Sequence, residues 1–364
     1  MKVAIGVRMH DGPWGGGNQF AATLSRYLRD RAIEVHYALD EPDLDVLVLT
    51  EPRRSSESSA FNDVDILRYL THVNPRAVVV HRVNECDERK NTTMVNRRLE
   101  IANRCADVTV FISKWLMDLL TPGPGRFFRP RVIQNGGDIS LFRPGGRAWN
   151  GRDPIQIVTH HWSDNWMKGF DIYRRFDELL GMEPFRGRFT YTYIGNLPRG
   201  FAFQHARALP VMHGTHLAET LAAHDAYLSA SLNEPAGMHH IEAALCGLPV
   251  LYRRSGALPE YCEGFGVQFD DTGFEAALLD LFTRYRFFKT RMPSYPHTGD
   301  RMCAGYLSLF EDMLEGRDEV IAERHVGSVR GAAMRAGAAL YDRRYQWKIR
   351  LDTVRGRMTD RVDG

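Results

Sequence analysis

The chain has 364 residues, of which 44% are hydrophobic and 25% charged, with a formal net charge of only +2. That length is enough for two domains with complete cores, and that composition excludes a disordered or fibrous chain. Neither zinc-finger spacing nor an RNP-type run is present, so no nucleic-acid partner is expected.

In chain order, short β-branched runs alternate with helical patterns. KVAIGV (2–7) reads as the first strand. The opening MKVAIGVRMHDGPW meets Arg8 and His10 too soon to be a signal peptide, and no apolar run reaches membrane-spanning length, so a cytoplasmic location is expected. A helix over 18–30 follows, then strands at VLVL (46–49), AVVVH (77–81) and VTVFIS (108–113), with a helix over 92–104. The Gly/Pro-rich FRPGGRAWNGRDP (142–154) has linker composition. Beyond it the series restarts with IQIVTH (155–160), a helix over 169–181, FTYTYIG (189–195), a helix over 216–223, AYLSAS (226–231), a helix over 238–246 and PVLYR (249–253). Strands alternating with helices build parallel, doubly wound sheets. Because the series occurs twice, the expected fold is α/β with two Rossmann-like domains, over 1–146 and 147–304, facing across a cleft. A stretch over 305–364, opening with YLSLFEDMLEG, is expected to be helical and ends in a basic tail containing Arg330, Arg335, Arg343, Arg344, Lys348, Arg350, Arg355, Arg357 and Arg361. That tail reads either as a solvated helix face or as a contact for an anionic surface, a membrane or an acidic acceptor.

Cys86, Cys105, Cys246, Cys262 and Cys303 are odd in number and form no CxxC pair, which argues against disulfides and a zinc site. His239 and Glu242 stand at i, i+3, but neither HExxH nor HxxEH is present, and no metal is expected. Asp43 and Asp45 in DLDVLVL have the form of the DxD of metal-dependent sugar transferases, yet the apolar run that follows at once reads them as the opening of a strand.

Ligands of open α/β sheets sit at the carboxyl ends of the strands, where HDGPWGGGNQ (10–19), HRVNECD (81–87) and NEPAGMHH (233–240) fall. Gly15, Gly16 and Gly17 lead from strand to helix and either cradle a phosphate or make a flexible turn; GxGxxG and GK[ST] are both absent. His81, directly after an apolar run, reads equally as a ligand contact or as a core histidine. Lys168 precedes a helix start, an unfavourable place for a cation unless an anion is near, and this suits a phosphate. In NEPAGMHHIEAALCGLPV, an eight-residue step along one helix would turn Glu242 about 80° from Glu234. Pro235 and Gly237 instead put Glu234 on a loop and Glu242 inside the helix, with the helix's free N–H groups between the two carboxylates. The polar TEPRRSSESSAF (50–61) is a candidate acceptor element.

EPAGMHHIEAALCGLPV followed by SGALPE resembles the signature of retaining GT-B glycosyltransferases of family 4: Glu, seven residues, Glu, Gly-x-Pro-Val, then Gly-x-x-Pro-Glu. VIQNGGDISLFRP (132–144), MKGFD (167–171), the glycines at 15–17 and His81 match the family in the same order, so the resemblance covers residues 1 to about 300. It implies a GT-B fold whose C-terminal helices pack back on the first, acceptor-binding domain. It also implies a donor, a UDP- or GDP-sugar, bound by the second domain, whose sugar is transferred with retention to a hydroxyl of an acceptor that is a glycan or other carbohydrate, a glycolipid or other lipid-linked acceptor, or a small molecule. Glu242 would then bind ribose hydroxyls, and Glu234 and His81 the donor sugar. Backbone N–H groups of Gly237, Met238 and His239 would hold sugar and pyrophosphate, Lys168 would neutralise the leaving diphosphate, and Gly16 and Gly17 would approach it from the other domain. His161, Ser163 and Gly195 complete the implied donor set, with no metal and no further cofactor. The family's usual arginine before Lys-Gly is absent here, its place falling among His161, Trp162 and Ser163; His161 supplies the charge or the diphosphate is held more weakly. The alternatives are a GT-B sugar-nucleotide epimerase or hydrolase and a non-catalytic nucleotide-sugar-binding protein. An NAD-dependent oxidoreductase is disfavoured by the glycine spacing.

Overall fold

The computed structural model describes residues 1–324 apart from Asp11, Pro13, Trp14 and 124–126, together with 333, 336–341, 343, 344 and 347. Of the tail cations, Arg343 and Arg344 are exposed helical residues; Arg330, Arg335, Lys348, Arg350, Arg355, Arg357 and Arg361 lie outside the described residues. Among the described residues no helix is long and apolar enough to cross a membrane.

The expected α/β architecture is present twice. The first sheet contains β1 (Lys2–Ile5), β2 (Glu34–His36), β3 (Val46–Leu49), β4 (Val78–Val83), β5 (Val108–Phe111) and β6 (Pro130–Val132). Its order is β2-β1-β3-β4-β5-β6, every neighbour parallel. The second contains β7 (Ile155–His161), β8 (Phe189–Gly195), β9 (Arg207–Leu209), β10 (Ala226–Ser229), β11 (Val250–Arg253) and β12 (Gly266–Phe269), in the parallel order β12-β11-β10-β7-β8-β9. Runs such as VLVL at β3 and AYLS at β10 are buried at every position because helices cover both faces of a parallel sheet. The order reverses between β1 and β3 and between β7 and β10, and these switch points hold the crevices into which the βα loops open.

The first sheet is flanked by α1 (Gly16–Arg29), α2 (Asp63–His72), α3 (Val95–Ala102) and α4 (Lys114–Leu120). The second is flanked by α5 (Phe170–Leu180), α6 (Gly214–Ala222), α7 (Met238–Leu245), α8 (Leu258–Cys262) and α9 (Phe274–Arg291). α1 turns Phe20, Ala21, Leu24 and Leu28 inward, one stripe of helical spacing. It begins at Gly16, so Gly16 and Gly17 form its first turn. α3 starts later than the sequence pattern suggests, because Asp87 gathers the N–H groups of Met94, Val95 and Asn96 at 2.8, 2.9 and 3.0 Å and fixes the entry there.

The chain crosses between domains at two strands of backbone that lie against each other. Gly137 N–H donates to His297 O at 3.1 Å and Gly299 N–H to Gly137 O at 2.6 Å. A Cβ on Gly136 would stand 2.0 Å from the Thr298 carbonyl oxygen, so this crossing requires glycine. α10 (Gly299–Glu315), capped by Thr298, and α11 (Arg317–Ala322) then return to the first domain, and position 304 falls inside α10. There Tyr306 packs on Phe20 of α1, ring centroids 5.1 Å apart, and Met302, Phe310, Met313 and Val320 join the core under β1, β3 and β4.

Candidate functional site

Two cavities share the cleft. The first, about 240 Å³, is walled by both domains; Gly16, His161, Ser163, Lys168, Gly237, Met238, His239 and Glu242 of the expected set line it, with Arg89 entering from the first domain. The second, about 510 Å³, lies mainly on the first domain and is lined by Gly17 and parts of the 50–61 loop. Gly15, Gly16, Arg89, Trp162 and Ser163 belong to both.

The second-domain wall is built where Pro235 and Gly237 interrupt the chain before α7. Glu234 is 1% exposed on the loop, and Glu242 is 3% exposed one turn inside the helix. Lys168 ends a single 3-10 turn (Trp166–Lys168) stopped by Gly169, whose φ of 96° and Cβ position, 2.4 Å from the Ala230 carbonyl oxygen, admit only glycine. Lys168 Nζ donates to Glu234 Oε2 at 2.6 Å, and Arg89 Nε stands 3.4 Å from Glu234 Oε1. Burial alone would raise the Glu234 carboxyl, but Lys168 and then Arg89 outweigh it and hold it at about 2. Burial lowers Lys168, partly countered by Glu234. Arg89 is held above the ordinary arginine value: burial works against its charge, and Glu85 and Glu234 prevail. Glu85 Oε2 accepts from Arg89 at 3.1 Å.

Glu242 Oε2 pairs with His160 Nε2 at 2.9 Å, while Glu242 Oε1 is buried with no partner among the described residues. A buried acceptor left open beside a cavity is placed to accept from a water or a ligand hydroxyl there. Gly237 begins α7 with no side-chain cap, and Gly15 begins α1 likewise. The two helix N-termini meet across the cleft, where a Cβ on Gly16 would lie 3.1 Å from Met238 Cγ. Uncapped N–H groups from opposite sides, with Lys168 and Arg89 beside them, are an arrangement of donors that suits an anion.

Several expectations change. His81 does not reach either cavity. β4 continues two residues past it, so His81 is fully buried inside the first domain, its Nδ1 3.0 Å from the Asn103 amide nitrogen. Burial, with Arg98 nearby, pushes His81 down to about 3. The core-histidine reading is therefore the correct one, and the donor-sugar contact expected of His81 falls away. His161 does line the first cavity, yet burial holds it well below the usual histidine range and its Nε2 meets Tyr173 Oη at 2.6 Å. Burial of this kind works against a charged imidazole in the place of the absent arginine; the second cation lining the cavity is Arg89. Gly195 lines neither cavity. Paired with His161 in the sheet, it has a φ of 142°, and its Cβ would fall 1.9 Å from the His161 carbonyl oxygen, so it shapes the wall at one remove. Asp43 bonds Lys2 at 2.8 Å and Asp45 the Lys2 backbone N–H at 2.9 Å, at the amino end of β3, away from the cleft. His239 Nε2 meets Ser229 Oγ at 3.0 Å and Glu242 meets His160, so the two do not converge as a chelating pair.

Sequence reasoning missed Arg89, Asn84 and His160. Asn84 and His160 stand at the carboxyl ends of β4 and β7, which was the signal available for them.

No family model matches the chain, and no curated protein does. Solved structures do. Sucrose-phosphate synthase from Thermosynechococcus elongatus superposes with a TM-score of 0.61 at 13% identity, covering 86% of this chain and 99% of that one. HepE from Anabaena, in complex with UDP and glucose, gives 0.59 at 17%, covering 88% and 100%. The catalytic domain of starch synthase IV from Arabidopsis thaliana, bound to ADP and acarbose, gives 0.59 at 12%, covering 86% and 99%. At such identities the likeness is one of fold. Two parallel-sheet Rossmann-like domains facing a cleft, with C-terminal helices returning to the first, are the GT-B architecture, and this chain has it.

Proposed function

We propose that the chain is a retaining glycosyltransferase that moves a hexosyl group from a nucleoside-diphosphate sugar to an acceptor hydroxyl. The observation that carries this reading is the meeting, around one cavity, of an open buried carboxylate oxygen on Glu242, two uncapped helix N-termini, and Lys168 with Arg89. Glu242 Oε1 takes a ribose hydroxyl. The N–H groups of α7 and α1 and the Lys168 ammonium take the diphosphate, and Glu234 takes donor-sugar hydroxyls. The fold neighbours described with UDP and glucose, or with ADP and acarbose, support a nucleotide-sugar ligand.

In the reaction the acceptor oxygen bonds to the anomeric carbon on the face from which the diphosphate departs, the bond from that carbon to the phosphate oxygen breaks, and the hydroxyl proton passes to the leaving diphosphate. Lys168 and the helix N-termini stabilise the charge that develops on that group. Glu234, held ionised between two cations, serves to position rather than to accept the proton or attack the sugar. No metal is needed for the charge balance of this scheme, and the setting proposed for it is the cytoplasm, where a basic C-terminal sequence suits an anionic membrane surface.

The test is a thermal-shift panel of UDP, GDP, ADP, dTDP and CDP on the wild type and on Glu242→Ala, followed by NMR of the product anomer. One diphosphate should stabilise the wild type, by roughly 2.7 kcal/mol at a hundredfold excess over its dissociation constant, and the variant should lose the effect. A shift that survives in Glu242→Ala overturns the placement of the nucleotide, and an inverted anomer overturns retention.

A further inference from the structure

Three cations share two carboxylates where the two walls meet. Lys168 bonds Glu234 at 2.6 Å, Arg89 stands 3.4 Å from Glu234 and 3.1 Å from Glu85, and Lys90 stands 3.1 Å from Glu85. Lys168 and Glu234 belong to the second domain, whereas Glu85, Arg89 and Lys90 follow β4 of the first. The next cation along the wall, Arg53, is matched by Glu51 at 2.5 Å. One positive charge in this chain of ion pairs therefore has no answering acid. Neither carboxylate depends on Arg89, because Glu234 keeps Lys168 and Glu85 keeps Lys90 without it.

Of the three cations, Arg89 alone lines both cavities, on a strip it shares with Gly15, Gly16, Trp162 and Ser163. Glu242, whose open oxygen suits a ribose hydroxyl, lines the smaller cavity only. A nucleoside diphosphate seated on Glu242 runs from there towards the strip, so its distal phosphate, the one that carries the sugar, ends nearest Arg89. Glu85 and Glu234 hold the guanidinium by Nη1 and Nε, while Nη2 makes no hydrogen bond with the described residues. A guanidinium is a rigid fork of donors. Fixing two of its nitrogens aims the third.

We propose that Arg89 is a catalytic residue whose guanidinium, delivered by the first domain, binds the distal phosphate of the donor and stabilises the charge that phosphate gains on departure. The inference rests on the transferase reading and fills a role that reading leaves open. No bond to Arg89 forms or breaks. The acceptor oxygen bonds to the anomeric carbon, the bond from that carbon to the phosphate oxygen breaks with its electron pair left on the oxygen, and the hydroxyl proton passes to the leaving diphosphate. Hydrogen bonds from Arg89 strengthen as that oxygen becomes charged. The leaving group's two cations are thus divided between the domains, and the second domain alone makes an incomplete phosphate site.

The experiment titrates the full chain, by calorimetry, with the nucleoside diphosphate that stabilises it and with the corresponding monophosphate. The two ligands differ only in the distal phosphate. Arg89→Ala should weaken the diphosphate at least tenfold and leave the monophosphate within twofold, which also shows that the variant is folded. Arg89→Gln, which keeps an amide donor for Glu85, carries the same comparison where Arg89→Ala does not fold. Ser163→Arg added to Arg89→Ala should recover at least threefold, because it offers an arginine to the same strip from the second domain. A diphosphate affinity unmoved in Arg89→Ala overturns this inference alone, as does an equal loss for both ligands, which would place Arg89 away from the distal phosphate. If the wild type binds no nucleoside diphosphate at all, the transferase reading fails and takes the inference with it.

Discussion

The two walls of the cleft are made in opposite ways. On the second domain, Glu234 and Glu242 are 1% and 3% exposed, fixed by a loop and a helix start, with Lys168 bonded to the first and His160 to the second. On the first domain the cavity is bordered by half-buried and exposed loop residues, Arg53, Ser56 and Glu57 among them. Their ion pairs are local, as between Glu51 and Arg53. A buried, over-determined wall suits a ligand part that never varies, and an open, loop-built wall suits the part that differs between enzymes. Arg89 joins them: it comes from the first domain, is anchored on Glu85 there, and ends against Glu234 of the second.

The largest effect that would break this contrast lies at Glu234. Glu234→Ala leaves Lys168 and Arg89 facing each other without their shared counter-ion. Removing one partner of a buried charge pair costs about 3–5 kcal/mol of stability, and losing the group proposed to position the donor sugar should lower the rate of nucleoside-diphosphate release by roughly a hundredfold. Steady-state kinetics checks this. A variant within threefold of the wild type would mean that the second wall is no more demanding than the first.

Acid should expose the same asymmetry. Burial lowers His161 and His239 well below the usual range and His240 to about 3, all beside the second wall, whereas His81, also lowered to about 3, lies inside the first domain away from both walls. In each case the unfolded chain binds the proton first, so stability falls as pH drops below about 6.5, at up to about 1.4 kcal/mol per pH unit for each such histidine. Both ring nitrogens of His240 lack partners and its ring lies 5.3 Å from Tyr261, so His240→Phe removes the titration without orphaning a polar group. Between pH 7.5 and 5.5 the variant should lose about 1.4 kcal/mol less than the wild type, read from urea unfolding at the two pH values. Equal losses would show that His240 is protonated in the folded protein.

The second wall was also the legible one. Pro235 and Gly237 announce the helix start locally, and Lys168-Gly169 announces another, so neither needed a long-range contact to be found. The alternating elements made both sheets readable, but β9 and β12 are three- and four-residue edge strands without an apolar run, and α2 opens with two aspartates that hide its apolar stripe. The misreading of His81 has one cause. A strand was expected to end before Arg82, whereas Arg82 is fully buried over the Phe20 ring, 3.9 Å from its centroid, with Asn135 accepting from it at 2.9 Å. β4 therefore continues to Val83, His81 is carried into the interior, and Asn84 becomes the residue at the strand's mouth. Arg89 was illegible for a different reason: its partner lies across the cleft, and no local pattern encodes that pairing.

The smallest expected effect sharpens the comparison from outside the cleft. Asp43 and Asp45 have the spacing of a metal-binding pair, but they precede β3, at the end of the sheet opposite the crevice. Asp43 is engaged with the Lys2 ammonium at 2.8 Å on the exposed surface, and Asp45 accepts from the backbone of β1 and from Arg317. Each contact is accounted for by holding the first strand and the returning C-terminal helix to the sheet. Asp43→Asn should therefore leave both the transfer rate and the thermal midpoint at wild-type values, since an exposed ion pair is screened by water and salt. If Asp43→Asn instead lowered the rate, and added Mn²⁺ restored it, the first domain would hold a catalytic element at its far end, and the division of labour between the two walls would have to be redrawn.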